Sequence, residues 1–364
     1  MNPAAVMLSA WLRRTLLLQH VHRHSHTIKF ESKKLFMSKT LIKKHTLFAL
    51  LLSASFAGTL NAQTDNDAIM MARKNLCIGG IYSYNSWTNY WEGTFKRNND
   101  NLGKVSTQMI GLMGNYGITN NLNAIFSVPY VKTKASAGNM AGQKGIQDLS
   151  LWVKWSGLEQ HIAGGDFKGI LLVGYSTPLS NYTADFLPLS IGLHSRNLNG
   201  RLMADYQHNH WFGTASFTYV GRSNVMIDRY TYYTTEMHYS NKVEMPDASE
   251  INLRAGYRSE TIIAELVFDR WTTLGGFDIP RNGMPFVSNR MNATKLGVNL
   301  KYETPVDGLS VVANGSATLA GRNVGQSTGF NAGVFYIFDL AGKHKKKTKE
   351  KAADKPKQTD NKKN

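Results

Sequence analysis

Apolar and polar side chains alternate with a period of two along much of the chain between residues 75 and 340. In residues 251 to 258, Ile251, Leu253, Ala255 and Tyr257 share one face, and Asn252, Arg254, Gly256 and Arg258 share the other. In residues 294 to 303, Leu296, Val298, Leu300 and Tyr302 stand against Lys295, Gly297, Asn299, Lys301 and Glu303. The helical period of about 3.6 residues fits neither stretch, so both are predicted as strands. Residues 329 to 340 put Phe330, Ala332, Val334, Tyr336, Phe338 and Leu340 on one fully apolar parity, and mix Asn331, Gly333 and Asp339 with Phe335 and Ile337 on the other. One greasy face and one mixed face describe a strand between lipid and a polar interior. Alternation of this kind recurs at 148 to 156, 198 to 207, 213 to 220 and 309 to 319, and more weakly at 75 to 90, 105 to 116, 122 to 134, 167 to 177 and 261 to 272. The expectation is about twelve strands, an even number that suits a closed single-chain barrel.

The connections have their own rhythm. Long ones are predicted at 91 to 104, 135 to 147, 178 to 197, 221 to 250, 273 to 293 and 320 to 328; short ones lie between them at 117 to 121, 157 to 166, 208 to 212, 259 to 260 and 304 to 308. Tight periplasmic turns and freely growing extracellular loops produce this alternation. The same phase puts Tyr116, Trp155, Tyr206, Tyr257, Tyr302 and Phe338 at strand ends beside the short turns, and Tyr130, Tyr175 and Tyr219 toward the long loops. Amphipathic rings at both interfaces are the girdles of a membrane protein. Trp271 shares a parity with Glu265 and Asp269 and is expected to point inward. The fold class expected is all-β: an antiparallel transmembrane β-barrel with short periplasmic turns and longer extracellular loops.

The formal charge of +17 changes this picture only until it is divided along the chain. Residues 1 to 62 carry +8 and residues 341 to 364 carry +7, which leaves +2 for the body between them. A nucleic-acid reader would hold its basic surface on the folded part, so no nucleic-acid partner is expected. From Met37, a basic head (Lys39, Lys43, Lys44), an apolar run from Leu47 to Phe56 and a small-residue exit at Ala62 read as a signal peptide over 37 to 62. Residues 1 to 36, with His20, His22, His24 and His26, read as an upstream extension of the reading frame, outside the native protein. The barrel is placed at 63 to 340. Residues 341 to 364 are expected to form a disordered Lys-rich periplasmic tail, read as a solvated tether with no specific partner, the alternative being contact with peptidoglycan or anionic headgroups. Cys77 is the only cysteine, which excludes an intrachain disulfide.

A run of short motifs carries a resemblance. Tyr116-Gly117-Ile118-Thr119-Asn120-Asn121-Leu122, Val128-Pro129-Tyr130-Val131, Gly145-Ile146-Gln147-Asp148-Leu149 and Gly174-Tyr175-Ser176-Thr177-Pro178-Leu179 occur in that order. Together they resemble the outer-membrane transporter family labelled after the meta-pathway of phenol degradation, with Gln147 where that family usually has Gly. The resemblance implies a barrel fold and transport, and says little about substrate.

Residues expected to face the lumen are Asp148, Lys154, Arg201, Asp205, Arg254, Arg258, Glu265, Asp269, Lys295 and Lys301. Their mixed signs argue against a strongly ion-selective pore. If Ser259 and Glu260 form a two-residue turn, Arg254 stands directly opposite Glu265 and the two can pair. A separate element, His238-Tyr239-Ser240-Asn241, resembles the His-x-Ser-Asn element of outer-membrane lipid A deacylases, with Glu250 or Glu244 as the acid. It lies in the loop from 221 to 250 and is read as a Tyr-rich excursion, not a catalytic dyad. No metal site or cofactor is expected, since no phosphate loop, His-Glu-x-x-His or paired-Cys spacing occurs after residue 62. The function expected is passive passage of a small solute, apolar ones included, with outer-membrane lipid as the surrounding partner. The alternatives are a membrane-embedded lipid hydrolase and a structural or surface-interaction barrel.

Overall fold

Each alternating stretch forms a strand, because backbone groups facing lipid must pair with a neighbour while the side chains sort to two faces. A computed structural model describes residues 64 to 341. Twelve strands build the wall: β1 (Asn75–Trp87), β2 (Val105–Thr119), β3 (Leu122–Ala135), β4 (Asp148–Ile162), β5 (Gly165–Pro178), β6 (Asn197–His208), β7 (Trp211–Arg222), β8 (Ala248–Arg258), β9 (Ile262–Thr273), β10 (Asn292–Glu303), β11 (Leu309–Arg322) and β12 (Thr328–Asp339). All neighbours are antiparallel, and β1 pairs with both β2 and β12, which closes the barrel. The described residues contain no helix.

The outward faces carry a continuous apolar belt that includes Leu112, Leu151, Val173, Leu202, Leu253, Val298 and Val334, each more than a third exposed. A water-soluble protein does not leave so large an apolar surface uncovered. All nine predicted girdle aromatics point outward with it.

Two local expectations are corrected. The ten-residue connection predicted at 157 to 166 is a two-residue turn at Ala163 and Gly164, both at positive φ, and β4 and β5 run on to meet it. A register shift between Ser156 and Leu158 inverts the phase of β4, so the alternation vanishes from the sequence although the strand continues. Between β8 and β9 a three-residue connection, 259 to 261, replaces the two-residue one, and Arg258 pairs with Ile263, setting Arg254 opposite Val267 and Glu265 opposite Gly256. Pro129 falls where the pairing of β3 passes from β4 to a short strand, Lys144–Ile146, a break in the ladder that tolerates a missing N–H.

At the long-loop end the connections pack on each other. Ala184, Val225, Ile227, Tyr232, Val243, Met245, Phe286 and Val287, from three loops, form a buried apolar cluster outside the wall. Asp278 accepts from Arg322 Nε at 2.7 Å and Nη2 at 2.6 Å, and these bonds hold its carboxyl down at about 2. The loop between β5 and β6 turns inward: Leu189 is fully buried against Leu102 and Val105, and its carbonyl accepts from the inward hydroxyl of Thr133 at 2.6 Å.

Candidate functional site

The ten residues expected to face the lumen all lie on inward positions of the wall, but the structure divides them into two groups. Lys154 on β4 and Arg201 on β6 are directed at a piece of chain that sequence reasoning left unassigned. Residues 64 to 74, ahead of β1, run inside the barrel. The carboxylate of Asp67 folds their start into a turn, accepting from Thr64 N at 2.6 Å, Thr64 Oγ1 at 2.9 Å and Ile69 N at 3.0 Å.

Lys154 is completely buried, and an ammonium so placed must have its donors satisfied. Four oxygens of the segment surround it: Thr64 O at 3.1 Å, Asp67 O at 2.6 Å, Asp67 Oδ1 at 3.1 Å and Ile69 O at 2.9 Å. Arg201, also buried, donates to Asp65 O at 2.8 Å and Asn66 Oδ1 at 2.6 Å. Its remaining donors reach Thr218 Oγ1 at 2.7 Å and Glu250 Oε2 at 3.0 Å, and its guanidinium lies 5.1 Å from the Trp152 ring. Ala68 packs among Ile170, Leu172 and Met203, again on β5 and β6. Nearer the short-turn end, Asn123 with its amide oxygen turned to Met71 accepts from Met71 N at 2.6 Å. Lys74 N donates to Gly117 O at 2.7 Å, and a Cβ at Gly117 would stand 2.1 Å from Ala72 O, so only glycine admits the segment there.

The second group pairs within the wall. Arg254 Nη1 donates to Glu265 Oε1 at 2.7 Å; the pair forms as expected, but diagonally because of the changed register. Arg258 reaches Asp205 at 3.0 Å and lies 3.8 Å over the Phe212 ring, and Lys301 pairs with Glu303 at 2.7 Å. Lys295 and Asp269 face each other across β9 and β10 without an ion pair. Asp148 sits at the long-loop rim and accepts from Tyr182 OH at 2.6 Å. Between the segment and the β8 to β12, β1 and β2 side of the wall remains a cavity of about 230 Å³. Arg254, Arg258, Glu265 and Lys301 line one flank, and Ile81, Met113, Val312 and Phe335, with Asn314 and Asn331 between them, the other.

The residues of the hydrolase alternative are not brought together. His238 stacks on Tyr232 at 4.7 Å, and its Nε2 lies 2.9 Å from Thr234 Oγ1. Ser240 Oγ accepts from Lys242 N at 3.0 Å, while Glu250 faces the lumen beside Arg201. An ester-cleaving serine needs its base within hydrogen-bond reach, and this arrangement lacks that contact. No group of residues able to hold a metal ion occurs among the described residues.

No known family matches the chain, and no curated protein matches it. Among solved structures it is similar to the COG4313 outer membrane channel from Pseudomonas putida F1, with a TM-score of 0.57 at 15% identity over 76% of this chain and 100% of that one. Two weaker likenesses are to the translocator domain of the autotransporter NalP from Neisseria meningitidis and to the NanC porin. The first has a TM-score of 0.40 at 10% identity over 82% of this chain and 95% of that one. The second has a TM-score of 0.39 at 10% identity over 72% and 98%. The P. putida likeness fixes the fold as that of an outer-membrane barrel. The two weaker ones add nothing to it, and none of the three extends to the phenol-pathway label.

Proposed function

We propose that the protein is a passive outer-membrane channel for a small solute with an apolar body, and that residues 64 to 74 form its constriction. The carrying observation is the cavity of about 230 Å³ beside the segment, with its charged wall residues on β8 to β10 and an apolar group, interrupted by Asn314 and Asn331, on β11, β12, β1 and β2. That lining suits a solute that presents one polar edge and buries the rest. In this reading the short turns face the periplasm and the capped long loops face the outside. The segment enters from the periplasmic end and narrows a lumen that twelve strands alone would leave wider.

A structural barrel is favoured by one observation of its own, the apolar cluster that packs the long loops together at the outer mouth. Single-channel recording in planar bilayers separates the two. The full protein is expected to give a small, stable conductance, and a variant lacking residues 64 to 70 a severalfold larger one. Silence from both, with the barrel folded, would leave the structural reading.

A further inference from the structure

Every cation of the lumen named above except Lys295 has a carboxylate partner, whereas four lysines gathered on the outer surface have none. Lys132 and Lys134 alternate along β3 with buried Val131 and Thr133, so both project outward. Lys144 stands directly opposite Lys132 in the short strand Lys144–Ile146, and it too is exposed. Lys104 precedes β2 at the same level: its carbonyl accepts from Ser136 N at 3.0 Å, and its ammonium lies 5.7 Å over the Tyr84 ring. Like charges directly opposite across a strand pair destabilise it, so this arrangement calls for an anion to sit between them.

No ion pair joins any of the four among the described residues. Two carboxylates of this end are engaged elsewhere: Asp148 accepts from Tyr182 inside the rim, and Glu92 pairs with Arg97 at 3.1 Å. The height of the cluster is set by the girdle. Tyr130 is outward and exposed, and Lys132 and Lys134 follow two and four residues above it, about 7 and 13 Å along the strand at roughly 3.3 Å per residue. Long basic side chains just beyond an aromatic belt reach the headgroup layer. On β7, β10 and β12 the positions just above the last outward apolar residue are Gly221, Thr294 and Thr328, and on β6 and β9 they are single arginines, Arg196 and Arg270, whereas four lysines gather here.

We propose that Lys104, Lys132, Lys134 and Lys144 form a docking site on the outer face of the barrel for the phosphate groups of lipopolysaccharide in the outer leaflet. The site rests on the outer-membrane orientation given above. Ammonium groups on flexible stems act as point charges for phosphate, and several converging on one headgroup give avidity without a shaped pocket.

Native mass spectrometry of the detergent-purified protein with bisphosphorylated lipid A tests it. The wild type is expected to retain lipid A, and the triple variant Lys132→Gln, Lys134→Gln, Lys144→Gln to bind it at least about tenfold more weakly. Arg270→Gln, an outward cation on the other side of the barrel, should bind as wild type does. Lipid A stripped of its phosphates should bind equally weakly to both proteins, and inorganic phosphate at equal concentration should not displace lipid A. Triple-variant binding within twofold of wild type, equal wild-type binding of the phosphate-free lipid, or displacement by inorganic phosphate would each overturn the site. Conductance is a separate readout: the triple variant should conduct as wild type does, so failure of the channel reading and failure of this one are distinguishable.

Discussion

The two halves of the barrel wall treat the inner segment differently. The β4 to β6 side fixes it with a fully buried lysine, a buried arginine and an apolar seat for Ala68. The β8 to β12 side satisfies its own charges within the wall, through Arg254 with Glu265 and Lys301 with Glu303, and leaves a cavity against the segment. A cation whose partner is a neighbouring strand stiffens the wall. A cation whose partner is a separate piece of chain makes a joint. The difference teaches that the polar start of the constriction is attached along the β4 to β6 side, while its end seats Met71 against Phe335 and Ile337 of β12, so that a path for a solute runs beside that polar start.

The largest effect should come from breaking the joint. Lys154→Met removes the ammonium from four oxygens and leaves the half-buried Asp67, still bonded to Thr64 and Ile69, without its counter-ion, a loss of about 3 kcal/mol in docking of the segment. The expected outcome is a noisier and larger conductance from a barrel whose heat-modifiable gel mobility is unchanged. A conductance identical to wild type would mean that the segment does not depend on this wall. A second effect tests the free wall. Val298 points outward and its neighbour Asn299 inward, where Asn299 donates to Glu265 at 2.7 Å. Val298→Arg should cost about 2 to 4 kcal/mol near the bilayer midplane, while Asn299→Arg faces polar groups and should be tolerated. Urea titrations of the refolded barrels check this, and equal midpoints would contradict the assignment of faces. Ser240→Ala, on neither wall, should change neither stability, conductance nor membrane lipid composition. Purified protein that deacylates lipid A and loses that activity in Ser240→Ala would overturn the channel reading in favour of an enzyme.

The wall was legible in the sequence because lipid on one side and polar groups on the other impose a period-two pattern, and nine girdle aromatics share its phase. Alternation also placed Lys154 and Arg201 inside. It could not supply their partners. Residues 64 to 74 are held chiefly through main-chain carbonyls and short polar contacts, which leave no periodicity to read. Two wall details were lost for the same reason. The register shift after Ser156 erased the alternation of a strand that continues, and an assumed two-residue turn put Glu265 instead of Val267 directly opposite Arg254, although the pair with Glu265 forms diagonally. The residues of the expected signal peptide, of the expected upstream extension and of the Lys-rich tail lie outside the described residues.

Three of the four oxygens around Lys154 are main-chain carbonyls, from Thr64, Asp67 and Ile69. Every amino acid carries such a carbonyl, so apart from Asp67 the grip is indifferent to which residues present them. What it does read is distance along the chain, because one residue more or fewer between Ile69 and the start of β1 would carry all three carbonyls out of register with a lysine fixed in the wall. Across related proteins, the composition of this stretch is therefore free to drift while its length is held constant. A comparison of such chains should show substitutions there in abundance and insertions or deletions almost never.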